Sequence, residues 1–257
     1  MRSISPAPRP QAAALASGAA PLVVPDPCAH CDARSVSVCS ALEDKDLHRL
    51  ATLAEVMEVA PGETFIEEGE TPEHFFNVTG GTVRLYKLLP DGRRQITGFA
   101  RPGHFLGLAV GEANAFSAEA LETVRVCRFS RSRLRAVLDD FPAFERRLLR
   151  SAANELVAAQ EQMLLLGRKT ARERVASFLL AQARPLRACD PPPGRFHLPM
   201  TRTDIADYLG LTIETVSRTM TRLRTEKLIA LPSPAEVVVL DRGRLEALAG
   251  GFEEERI

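Results

Sequence analysis

Between about Leu42 and Phe129 the apolar positions come in short runs, broken at roughly ten-residue intervals by Pro61-Gly62, Glu68-Gly69, Gly80-Gly81, Asp91-Gly92 and Pro102-Gly103. Such spacing predicts a small antiparallel roll, sandwich or barrel. Val83 to Leu88 alternates in strand fashion, and Asp91-Gly92 turns it into Arg94 to Phe99, a β-hairpin. After Pro142 the period changes. Leu149, Ala152, Leu156, Ala159, Met163 and Leu166 recur in steps of 3, 4, 3, 4 and 3, a heptad seam on a long helix. A second stripe, Leu148, Val157, Leu164 and Leu165, is expected to face the roll, leaving the small-residue seam for a twin helix in a twofold homodimer.

Near the carboxyl end the pattern is helix, corner, helix. Thr201 and Asp204 form a Thr-x-x-Asp helix start, Gly210 marks the corner, and Thr212 can cap the second helix. Ile205, Leu209, Leu211, Ile213, Val216, Met220 and Leu223 supply the expected buried side. Glu214, Ser217 and Arg218, at i, i+3 and i+4, then share one exposed face. In a DNA major groove a glutamate accepts from cytosine N4, and an arginine forks onto guanine O6 and N7. An ordinary helical hairpin with a salt-bridged surface is the bland alternative.

Charge separates the two. The chain of 257 residues has no formal net charge. Residues 168–230 nevertheless carry twelve Lys and Arg against six Asp and Glu, a net +6 balanced by −6 elsewhere. A basic module on an acidic body is what an encounter with phosphates requires. Arg202, Arg222 and Arg224 are candidates for holding the double-stranded DNA backbone rather than reading bases. No run of ~18 apolar residues exists, so no membrane span is expected. The Ala- and Pro-rich start to Pro27, broken by Gly18 and Pro21, reads as a disordered leader rather than a signal peptide, and a DNA-binding module implies a cytoplasmic protein.

Five cysteines, an odd number, argue against a disulfide framework. Three cluster as Cys28-x2-Cys31-x7-Cys39, and Cys127 lies in an apolar, strand-like stretch. Such thiolates suit a soft metal or an iron–sulfur cluster, which needs four ligands. Zinc, with His30 as an extra ligand, is the competing metal, although no second close pair of ligands appears. Equally, Cys127 could be a small buried hydrophobe and the other three unligated thiols. Cys189, beside Pro191-Pro192-Pro193, reads as a bystander.

Together these features resemble the CRP/FNR family of bacterial transcription regulators, and within it the FNR/FixK-type, FnrN-like branch. The most specific pieces are Gln95-Ile96-Thr97-Gly98-Phe99, Ala120-Leu121-Glu122-Thr123 with Cys127, Met163-Leu164-Leu165-Leu166, and Thr201 to Arg218. The resemblance implies an α+β fold: an antiparallel β-roll like a cyclic-nucleotide-binding jelly roll, a long dimerisation helix, and a winged helix-turn-helix with its wing around Ile229 to Leu240. It divides the chain into a leader (1–27), a cysteine-bearing segment with the roll (28–140), the dimer helix (141–168) and the DNA-binding domain (169–257). It also implies Glu214, Ser217 and Arg218 as base readers of palindromic TTGAT-like sites, RNA polymerase contacts from loops such as Leu88 to Arg94, and a [4Fe–4S] cluster on Cys28, Cys31, Cys39 and Cys127.

The Cys31-x7-Cys39 gap is longer than in the enteric type but similar to FnrN-type proteins. Cyclic AMP is not expected: Phe116 and Leu108 stand where nucleotide binders place Arg and Glu, and no Lys or Arg lies between Arg101 and Arg125. The alternatives are a cluster-free FixK-like regulator, a haem-based nitric oxide sensor, and, from another class, a cupin-type metalloenzyme. The last is poorly served by a roll offering only His74 and His104, in separate segments.

Overall fold

The computed structural model describes residue 28 and residues 31–108, 111–184 and 194–251. The leader to Pro27, His30 and Cys189 lie outside them. Two short 3-10 turns, Arg34–Val36 and Val38–Ala41, lead into α1 (Asp44–Ala51). Eight strands follow: β1 (Ala54–Val59), β2 (Thr64–Ile66), β3 (His74–Gly80), β4 (Val83–Leu88), β5 (Arg94–Ala100), β6 (Phe105–Leu106), β7 (Ser117–Ala120) and β8 (Val124–Ser130). They form two four-stranded antiparallel sheets, ordered β1-β8-β3-β6 and β2-β7-β4-β5. Val59, Phe76, Val78, Val83, Ala118, Val124 and Val126 belong to the core that the two sheets share. The hairpin read from Asp91-Gly92 is β4–β5, paired from Val83↔Ala100 to Leu88↔Arg94.

The first sheet is covered on its other face too. Along β8, Val124 and Val126 join the roll core, while Cys127 and Phe129 join a second core with Val38, Cys39, Leu42, Leu50 and Leu134. Side chains alternate faces along a strand, so a strand apolar on both faces must be covered on both. Here the cover is the cysteine-bearing segment, α1, α2 (Arg131–Val137) and the start of α3 (Pro142–Arg168), which has proline in its first turn.

α3 runs 27 residues, ~40 Å at helical rise. Phe144 and Leu148 are buried at its base; beyond them it leaves the roll. Leu165 packs against the C-terminal core, but Val157 and Leu164, expected against the roll, are more than half exposed. The roll's outer face is already occupied where they would need it. They widen the exposed stripe instead, alongside Leu149, Leu156 and Met163, which are 62–66% exposed.

The C-terminal part comprises α4 (Ala171–Gln182), β9 (Arg195–His197), α5 (Arg202–Leu209), α6 (Ile213–Thr225), β10 (Ile229–Ser233), β11 (Glu236–Val239) and α7 (Arg242–Ala249). The β10–β11 hairpin, with β9 alongside, is the wing. Among the described residues no helix is long and apolar enough to cross a membrane.

Candidate DNA-reading face and thiol cluster

α5 starts with a complete capping box. Thr201 Oγ1 accepts from the Asp204 N–H at 3.1 Å, and Asp204 Oδ2 accepts from the Thr201 N–H at 2.9 Å. Gly210 ends the helix at φ 61°, ψ 42°, the left-handed conformation that glycine adopts without a Cβ penalty. Thr212 caps α6, its hydroxyl accepting from the Thr215 N–H at 3.2 Å. Ile205, Leu209, Val216, Met220 and Leu223 are buried as read from sequence, and Leu211 is half-buried. Ile213, expected inside, is exposed. As the first residue of α6 its side chain leans back past the helix end, where it is only partly covered.

Glu214 and Arg218 are exposed on α6 and Ser217 is half-exposed, so the three expected base readers share an open face. The Glu214 carboxyl is held below its ordinary range, first by its own backbone N–H at the helix start, then by the Thr212 hydroxyl; Arg218 adds to this. It is therefore an acceptor at neutral pH, as contact with cytosine N4 requires.

The basic count is less available than sequence suggests. Arg174 donates to the carbonyls of Lys169, Leu209 and Leu166 at 2.8–2.9 Å, tying the ends of α3 and α5 together. Lys169 Nζ donates to Ser177 and to the Ala249 carbonyl, and Arg172 pairs with Glu226. Arg222 is exposed but ion-paired with Glu226 one turn on, at 2.9 Å. Arg202 is half-buried, its charge disfavoured by burial, and its Nη1 is buried without a hydrogen-bond partner. Arg224 remains exposed.

Sequence reading missed the junction between roll and reader. Asp204 is 1% exposed, and its Oδ1 accepts from Arg84 of β4 at 2.8 Å and Arg94 of β5 at 3.0 Å. Arg94 also pairs with Asp207 at 2.8 Å, and Gln95 Nε2 donates to the Asp207 carbonyl at 2.7 Å. The Phe99 ring packs at a tilt against Tyr208 and Phe178, with ring centroids 5.2 and 6.1 Å away. The signal lay in Gln95 to Phe99, singled out as a motif with no stated role.

At the other end of the roll, Cys28, Cys39 and Cys127 belong to one buried core, with Cys31 half-buried beside them. The Cys31 N–H donates to the Cys28 carbonyl at 3.4 Å, closing a turn that brings two thiols together. A Cβ on Gly103 would lie 2.9 Å from the Val36 carbonyl, so this glycine (φ 100°) lets the segment between Cys31 and Cys39 lie flat on the roll. Burial pushes the Cys39 thiol up to about 12, against a hydrogen bond from Ser37 and with Cys28 and Cys31 adding to the rise. The Cys127 thiol is raised by burial and then by Cys31, Cys39 and Cys28. Bringing these thiols to the anionic form therefore needs positive charge among them.

Among the described residues no group of three or more His, Cys, Asp or Glu is placed to hold a single metal ion, and His30, the extra ligand of the zinc reading, lies outside them. A four-iron cluster spreads its ligand sulfurs wider than one ion does, and four converging thiols match its donor set.

Residues 56–141 match the model of the cyclic nucleotide-binding domain, and residues 173–248 that of the Crp-like helix-turn-helix domain. The chain is 44% identical over 222 residues to the nitrogen fixation regulation protein FixK of Bradyrhizobium diazoefficiens, covering 86% of this chain and 93% of that one. It is 37% identical over 228 residues to the transcriptional activator protein FnrL of Cereibacter sphaeroides, covering 87% and 92%. The solved structure of FixK2 from Bradyrhizobium japonicum superposes with a TM-score of 0.71 at 41% identity, covering 76% of this chain and 96% of that one.

Proposed function

The chain belongs to the CRP/FNR family of transcription regulators, in its FixK-type branch, and from that premise we propose that it is an oxygen-responsive homodimer reading palindromic TTGAT-like sites. It is a DNA-binding regulator rather than an enzyme, as its relatives are. One observation carries the sensing half: three of the thiols, Cys28, Cys39 and Cys127, share a single buried core with the base of α3, and Cys31 lies half-buried beside them. When bound to Cys28, Cys31, Cys39 and Cys127, a [4Fe–4S] cluster supplies an oxygen-labile cross-link between the cysteine-bearing segment and the sheet. Cys127 sits in a strand, while Cys28, Cys31 and Cys39 lie on a segment whose described residues pair with no strand of the roll. Holding that segment down keeps Phe144 and Leu148 covered, which fixes the direction in which α3 leaves the roll. A bias of a few kcal/mol on that direction changes DNA occupancy tenfold or more.

Against a cyclic nucleotide stand Phe116, which packs against the roll core where nucleotide binders place Arg, and Lys87, which is already tied to Glu68 and to the Ala115 carbonyl. RNA polymerase contacts fit the exposed Leu88 and Leu89 at the hairpin tip; Arg94, next to them, faces the reader instead. In the dimer, Leu149, Ala152, Leu156, Ala159, Met163 and Leu166 form the seam, joined by Val157 and Leu164. Leu166 contributes least, being half-buried near Gly210.

Two experiments test this reading. Protein isolated without air should be coloured and carry iron and sulfide in equal amounts, about four of each per chain. Cys127→Ser should abolish both, along with oxygen-dependent operator binding. A colourless, iron-free wild type that still gripped its operator would favour the cluster-free FixK-like regulator. Leu156→Glu should give a monomer in sedimentation velocity and lose operator binding; an unchanged dimer would move the interface elsewhere.

A further inference from the structure

Asn77 is 1% exposed, and its Oδ1 is buried with no hydrogen-bond partner. Burying an amide oxygen unpaired is costly, so such a group in a well-packed sheet calls for an explanation. Its surroundings supply one. On β3, Asn77 is flanked by Phe76 and Val78, which point into the roll core, so its own side chain is on the opposite face. It is register partner to Cys127 on β8 and to Phe105 on β6. Directly opposite residues of an antiparallel pair hold their Cβ atoms ~4.5–5.5 Å apart on the same face. The other polar group of that side chain, an amide N–H₂, exchanges places with Oδ1 on a half-turn about χ2. Phe75, Phe105 and Phe129 wall the site, and none of them has a polar group to offer.

We propose that the Asn77 amide donates a hydrogen bond to sulfur at Cys127, as a positioning residue that slows the loss of the bound cluster in air. This rests on the cluster reading above. The physical ground is general: hydrogen bonds to the sulfurs of an iron–sulfur centre withdraw electron density and raise its potential. With a cluster held by Cys127, loss in air would require dioxygen, the oxidant, to draw an electron from it. A donor on the ligand sulfur makes that electron harder to remove.

The test compares full-length wild type with Asn77→Leu, both isolated without air and matched for iron and sulfide. Asn77→Leu should bleach about tenfold faster on exposure to air, the scale typical of losing an outer partner of a metal ligand. Its midpoint potential should fall. The iron-free form should shift the other way, its Tm rising by about 2–4 °C, because an unpaired buried amide has been removed. A purely structural role for Asn77 predicts a lower Tm and unchanged bleaching. Asn77→Thr, which keeps a donor, should bleach at an intermediate rate and guards against a folding defect in Asn77→Leu. Equal bleaching rates in a coloured wild type and Asn77→Leu overturn the role of Asn77 and leave the cluster standing. Iron-free protein in every case overturns both.

Discussion

Asp204→Ala is expected to destabilise the folded protein by about 3 kcal/mol, because removing one partner of a buried ion pair strands the other. Four donors converge on this carboxylate: the N–H and hydroxyl of Thr201, at 2.9 and 2.6 Å, and the guanidinium groups of Arg84 and Arg94. Burial works against the Arg84 charge, but Glu119 and Asp204 outweigh it and hold its pKa above the ordinary value. After the substitution Arg84 keeps Glu119 at 2.5 Å and Arg94 keeps Asp207 at 2.8 Å. That places the loss at the low end of the range for broken buried pairs, with the broken capping box adding to it. Urea unfolding followed by circular dichroism measures it. A loss under about 1 kcal/mol would rank the junction with exposed salt bridges and remove it as the joint between roll and reader.

The same joint shows where sequence reading stops. The helix-turn-helix was legible because its determinants are local: Thr201 with Asp204, Gly210 and Thr212 each act within four residues. The β4–β5 hairpin was legible for the same reason. Asp204 was read as a cap and was one, but its second role depends on Arg84, 120 positions away, and no periodicity carries that information. Arg174 contributes to the +6 of residues 168–230, yet its geometry binds three carbonyls; a cation looks the same in sequence whichever it does. Sequence places Val157 and Leu164 toward the roll because helical spacing fixes a face but not what lies opposite it. The cysteines were the intermediate case. Spacing grouped Cys28, Cys31 and Cys39, but only the register Val56↔Cys127↔Asn77 puts the fourth thiol on the covered face.

Arg218→Ala is expected to remove sequence discrimination while sparing general affinity for DNA. A bidentate arginine on guanine discriminates by about 1–3 kcal/mol per half-site, so two half-sites lose about 2–6 kcal/mol. On a palindromic TTGAT-like duplex that weakens binding by at least an order of magnitude; on a scrambled duplex it changes little. Arg222→Ala should behave differently. Its guanidinium is already shared with Glu226, so its remaining role is to hold backbone, and losing it weakens both duplexes alike and flattens the salt dependence. Fluorescence anisotropy over a salt series separates the two variants. Equal losses on both duplexes for Arg218→Ala would show that it holds phosphate, and base reading would then fall to Glu214 and Ser217. The expected direction follows from placement. Arg218 lies one turn beyond Glu214 on the open face of a helix whose other side is fixed by Val216, Met220 and Leu223, so the side chain can extend into a groove without disturbing the core behind it.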